Sequence, residues 1–127
     1  MLPDFIVPES EQRTDGESAA LELGPSQGKL ISLTLGITRI IEQESLDVSV
    51  YASPDGVNWE SDPVISFPQK FYCGTYTLLV DLARRPEAKF LKIKWKMNRW
   101  GRGEPKPLFD FYLFAEEIEG LQAAVGA

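Results

Sequence analysis

The sequence predicts an all-β protein, an antiparallel sandwich of short strands, and three observations carry that prediction. Apolar residues recur with period two in one segment after another, which is the spacing of half-buried strands. Turn signals built on Pro, Gly and Asp separate those segments at short intervals. No stretch between them carries a helical period, so the crossover helices that a parallel sheet requires are missing.

Residues 1–17 are polar and acidic and contain Pro3, Pro8 and Gly16, which reads as an arm ordered only where Phe5, Ile6 and Val7 find a groove. Residues 18–23 alternate weakly, and Gly24-Pro25-Ser26-Gln27-Gly28 then breaks the chain. Over 30–41, Ile31, Leu33, Leu35 and Ile37 share one face; Gly36 opposite them signals a bulge or a close neighbouring backbone. Leu46, Val48, Val50 and Ala52 alternate with Asp47, Ser49 and Tyr51. Ser53-Pro54-Asp55-Gly56 follows as a turn, with Pro where φ is pre-set and Gly where a positive φ is needed. A short strand over 64–67 lies between Pro63 and Pro68, and 75–82 sets Tyr76, Leu78, Val80 and Leu82 against Thr75, Thr77, Leu79 and Asp81. The sharpest two-faced strand has Leu91, Ile93, Trp95 and Met97 inside and Lys92, Lys94 and Lys96 outside. A loop over 98–107 precedes a last, largely aromatic strand over 108–115. The predicted organisation is an arm at 1–17, one sandwich domain at 18–115 and a tail at 116–127.

Composition narrows the chemistry. The 127 residues are 43% hydrophobic and 25% charged, enough for a single core. There is no histidine, which removes the commonest general base and every Ser-His or Cys-His pair. Cys73 is the only cysteine, so no internal disulfide forms; beside Phe71 and Tyr72 it reads as a buried small hydrophobe. No Gly-rich phosphate loop opens a helix, and no two carboxylates sit in the context of a buried catalytic pair. The expectation is a protein that is not an enzyme and takes no cofactor. A formal charge of −6 disfavours nucleic acid as a partner, no apolar run reaches a membrane span, and the first residues lack the pattern of a secretory signal, so a cytoplasmic location is expected.

The run from Val48 through Ser53-Pro54-Asp55-Gly56-Val57-Asn58 to Trp59 resembles the hairpin of discoidin-like (coagulation-factor type C) domains, members of the galactose-binding-like jelly rolls. Ala20-Leu21-Glu22-Leu23-Gly24 and the strand from Ile31 to Ile37 before it, and Phe90-Leu91-Lys92-Ile93-Lys94-Trp95 and Phe109-Asp110-Phe111-Tyr112-Leu113-Phe114 after it, stand in the family's order, so the resemblance spans roughly 18–115. This sequence departs from the family in lacking its end-to-end disulfide and in placing Asp110 where the closing strand usually carries Glu. The resemblance implies a jelly roll whose loops at one end do the binding. Trp59 is expected to be mostly buried, packing back on the sandwich to fix its turn rather than serving as a ligand platform. Asp55 is expected to hydrogen-bond its own backbone; the D-x-D spacing of a local calcium site is missing, and no metal is assigned.

The basic segment is the functional candidate. Between Lys89 and Lys106 seven basic side chains meet only Glu104, a net of six positive charges in an otherwise acidic chain. Lys92, Lys94 and Lys96 read first as the solvated face of their strand, a face that also discourages aggregation. The loop is a better candidate: Arg99, Trp100 and Arg102 join an aromatic ring to planar donors, the chemistry that grips sugars, carboxylates and phosphates. Lys94 and Lys96 supply a favourable field beside them. Two functions follow, a non-catalytic module that binds a glycan or an anionic partner through its end loops, and an assembly subunit whose aromatic last strand and acidic arm bind another protein or a second copy.

Overall fold

The computed structural model describes residues 2–40, 44–100 and 108–118. Nine strands appear there: β1 (Asp4–Gln12), β2 (Gly16–Glu17), β3 (Leu21–Glu22), β4 (Leu30–Ile40), β5 (Glu44–Ser53), β6 (Ile65–Ser66), β7 (Gly74–Asp81), β8 (Phe90–Arg99) and β9 (Phe109–Glu117). They form two antiparallel sheets facing each other. One runs in the order β1-β9-β4-β7; the other runs β2-β8-β5-β6, with β3 also paired to β8. The protein is an all-β sandwich, as the alternation predicts.

The pairing is nested. β1 pairs β9, β2 and β3 pair β8, β4 pairs β7 and β5 pairs β6, so the chain behaves as one long hairpin rolled into two sheets. Pairing of β4 with β9 and of β5 with β8 completes the sheets.

Period two places the core. Ile31, Leu33, Leu35 and Ile37 of β4 are buried with Phe109, Phe111, Leu113 and Ala115 of β9 on one sheet. Leu46, Val48, Val50 and Ala52 of β5 face them with Leu91, Ile93, Trp95 and Met97 of β8. Trp95 and Phe111 meet edge to face across the gap, with ring centroids 5.5 Å apart. In β8, Lys92 and Lys94 are half-buried and Lys96 is exposed, all on the outward face.

Five local expectations change. Residues 4–12 form a sheet strand: β1 pairs with β9, and Ile6 and Val7 enter the core. Of the weak strand at 18–23 only β3 (Leu21–Glu22) forms, β2 lying ahead of it in the segment read as an arm, and the strand at 64–67 shortens to Ile65–Ser66, although Phe67 remains buried. β9 continues to Glu117, because Glu116 and Glu117 still pair with Ser32 and Ile31. Cys73 is exposed, not buried, since it leaves the sheet just before β7 begins.

Candidate functional site

At one end of the sandwich three aromatic side chains stand in solvent. Trp100 follows the last residue of β8 and is 59% exposed; Phe71 and Tyr72, just before β7, are 41% and 74% exposed. Phe71 lies edge-on to Trp100, centroids 6.2 Å apart, and 6.4 Å from Tyr72.

Backbone contacts hold this segment in place. The N–H of Leu46 donates to the carbonyl of Lys70 at 2.8 Å and the N–H of Lys70 to that of Leu46 at 3.0 Å, an isolated bridge that ties residue 70 to β5. The Tyr76 hydroxyl lies 3.3 Å from the Tyr72 carbonyl and 3.4 Å from that of Cys73. Lys70 Nζ sits 3.8 Å above the Tyr76 ring, a cation–π contact that braces the root of the segment. With its root tied inward on both sides, the Phe-Tyr pair projects outward.

Arg99, expected in the loop over 98–107, is instead the last residue of β8, because Asn98 and Arg99 still pair with Ser45 and Glu44; it is half-buried and stands directly across the ladder from Glu44. Glu44 is 1% exposed, and its Oε1 accepts the Leu108 N–H at 2.8 Å. A buried carboxyl group thus joins the first residue of β5 to the residue just before β9. Arg102 lies outside the described residues.

Lys94 and Lys96 occupy a different surface, the outer face of the β8–β5 sheet. With Asp15, Glu17, Asp47, Ser49 and Tyr51 they line a shallow depression of about 550 Å³. Their charge is locally matched. Lys96 faces Asp47 across the ladder, Lys94 faces Glu17 and lies 4.6 Å over the Tyr51 ring, and Lys92 Nζ approaches Glu17 at 3.3 Å. Lys92 also lies 4.5 Å over the ring of Trp59, which is half-buried against the outside of the sheet instead of mostly buried. Trp59 braces its hairpin from the solvent side.

The structure therefore brings Trp100 and Arg99 to one end and leaves Lys94 and Lys96 on a face. It adds Phe71 and Tyr72, which sequence reasoning passed over. A three-residue run Phe71-Tyr72-Cys73 just ahead of Gly74, in a segment too short to bury it, was the available signal. Among the described residues no group of three or more His, Cys, Asp or Glu side chains could hold a metal ion, and no helix is long and apolar enough to cross a membrane. Compared with known proteins, the sequence matches no family model and no curated protein, so its function is read from its own geometry.

Proposed function

We propose that this protein is a non-catalytic binding module of the galactose-binding-like, discoidin-like jelly-roll type, which takes a glycan through the aromatic end of its sandwich. The observation that carries the reading is the exposed cluster of Trp100, Phe71 and Tyr72. Aromatic faces bind the apolar C–H face of a sugar ring, and edge-to-face packing on Phe71 fixes Trp100 before any ligand arrives, which lowers the ordering cost of binding. Arg99 beside the cluster, with Arg102 close in sequence, favours sugars that carry carboxylate or sulfate groups. The nested strand pairing supports the jelly-roll part of the reading, because a rolled-up hairpin of two facing sheets is how that architecture is wound.

A glycan array tests it with the parent chain, an Arg99→Ala/Trp100→Ala/Arg102→Ala variant and a Phe71→Ala/Tyr72→Ala variant. The parent should retain a set of glycans that both variants lose. Retention of acidic members should also weaken with salt, over a Debye length of about 10 Å at 0.1 M. A parent that retains nothing, or profiles identical across the three proteins, would reject the reading.

A second reading, contact with another protein, is favoured by a separate surface. The outer face of the β1-β9-β4-β7 sheet exposes Phe5 and Leu79 and carries a groove of about 570 Å³ lined by Phe5, Pro8, Glu9, Thr34, Tyr112 and Phe114.

A further inference from the structure

Among the described residues the two sheets end in β1, β7, β6 and the short pair β2 and β3. An outer strand offers unpaired N–H and C=O groups to any extended chain, and proteins usually blunt it with Pro, bulges, charge or brevity. Three of these edges are blunted in that way. β1 contains Pro8, and its register on β9 shifts between Phe5 and Val7 and again between Val7 and Ser10. β6 is two residues long and lies between Pro63 and Pro68; β2 and β3 are two residues each.

β7 has none of these devices. Its register on β4 runs without a shift from Gly74 opposite Ile37 to Asp81 opposite Leu30. From Gly74 to Val80 it holds no charge and no proline, and it shows Thr75, Thr77 and Leu79 to solvent. The rim of the facing sheet is recessed beside it. Where β6 covers only Ile65–Ser66, a depression of about 580 Å³ opens between Val64, Ile65, Leu79 and Val80, with Asp81, Arg84, Arg85 and Glu87 also lining it, leaving room for a second body.

We infer that β7 pairs antiparallel with β7 of a second copy of this chain, joining two four-stranded sheets into one of eight about a two-fold axis at Thr77. This deepens the protein-contact reading and is independent of the glycan reading. Parity fixes the kind of register. Side chains alternate across a strand, so inward residues stay inward only if the numbers of opposed residues add to an even sum. Centring on Thr77 opposes Gly74 to Val80, Thr75 to Leu79, Tyr76 to Leu78 and Thr77 to itself, which uses the whole uncharged stretch. A shift of the axis by one residue to either side would leave part of that stretch unpaired. An isologous contact of this kind needs a self-complementary strand with no like charges opposed, and β7 is one. Exposed Leu79 gains an apolar neighbour in Thr75 of the other copy, whose methyl group shares its face.

Sedimentation velocity on the full chain over a range of concentrations tests the pairing. The parent should show a concentration-dependent dimer. Thr77→Lys and Thr77→Glu each oppose two like charges at the axis and should each weaken it by about tenfold or more. Mixing the two variants in equal amounts should restore a dimer that neither forms alone. A chain carrying Cys73→Ser and Thr77→Cys should cross-link to a covalent dimer under mild oxidation, while Cys73→Ser with Thr75→Cys should not, because residue 75 faces Leu79. A parent that is monomeric throughout overturns the inference. So does a dimer that both charge variants retain, or a pair of monomeric variants that mixing and cross-linking fail to join.

Discussion

Asp55 organises its turn through both carboxylate oxygens. Oδ1 accepts the N–H groups of Val57 and Asn58, each at 2.8 Å, and Oδ2 accepts the Asn58 side-chain amide at 2.7 Å. Ser53 works from the other side, its Oγ accepting the Gly56 N–H at 2.8 Å and lying 2.7 Å from the Asn58 carbonyl. Gly56 has φ +80°, a conformation that side chains disfavour. The N–H of Asn58, then that of Val57, then the Asn58 amide hold the Asp55 carboxyl well below its ordinary value of 3.8. A depressed folded-state value means that the charged form stabilises the fold above pH 3.8 and that the contribution is lost as pH falls below that point. Asp55→Asn keeps one acceptor oxygen and loses the other. It should melt below the parent at neutral pH, and the gap should narrow as pH drops through the acid range under 3.8. A gap that stays constant down to about pH 2 in paired melting curves would deny the carboxylate this role.

Strands β4, β5 and β8 were legible from the sequence because each buries one face, and a two-residue period records that locally. β1 was not legible. Behind Phe5, Ile6 and Val7 it runs Pro8-Glu9-Ser10-Glu11-Gln12, and it is a strand because β9, from the far end of the chain, supplies backbone partners. The same holds at the candidate site. Arg99 and Trp100 were visible as a charged aromatic pair, while Phe71 and Tyr72 are brought to them by long-range contacts such as the Leu46–Lys70 bridge, which no local period records. Gly36 was expected to mark a bulge or a close neighbouring backbone, but what approaches it is a side chain. The glycine stands directly opposite Tyr112, and a Cβ placed on it would lie 2.2 Å from the Tyr112 ring. The ring covers the backbone of β4 as a side chain would, in the manner of an aromatic laid over a strand glycine. Gly36→Ala should therefore destabilise by about 1–3 kcal/mol, the usual range for overpacking. In a Tyr112→Ala background the same change should cost much less. Equal costs in the two backgrounds, measured by urea unfolding, would show that the strain lies elsewhere.

At the scale of the whole molecule, the two sheets are held together by side chains more than by backbone, since hydrogen bonds run within sheets and the core lies between them. β1 and β9 pair from opposite ends of the chain, and β9 cannot be flanked on both sides until the hairpin has rolled up. Such non-local pairing places this fold among the slower two-state topologies. Trp95 and Phe111 bridge the gap edge to face at 5.5 Å. Trp95 is anchored as well, its Nε1–H donating to the Thr14 carbonyl at 3.0 Å, which ties the chain between β1 and β2 to the core. Phe111 is fully buried with no polar atom, so its loss is a pure cavity. Phe111→Ala should cost about 3–5 kcal/mol out of a total of roughly 5–15 kcal/mol, lowering the urea midpoint while leaving one transition of unchanged slope. Trp95→Phe keeps an aromatic ring but abandons the Thr14 bond. Combined with Phe111→Ala in a double-mutant cycle, it should reveal a coupling of about 0.5–1.5 kcal/mol between the two rings. Strict additivity would mean that the sheets are joined by area alone and that the edge-to-face geometry contributes nothing of its own.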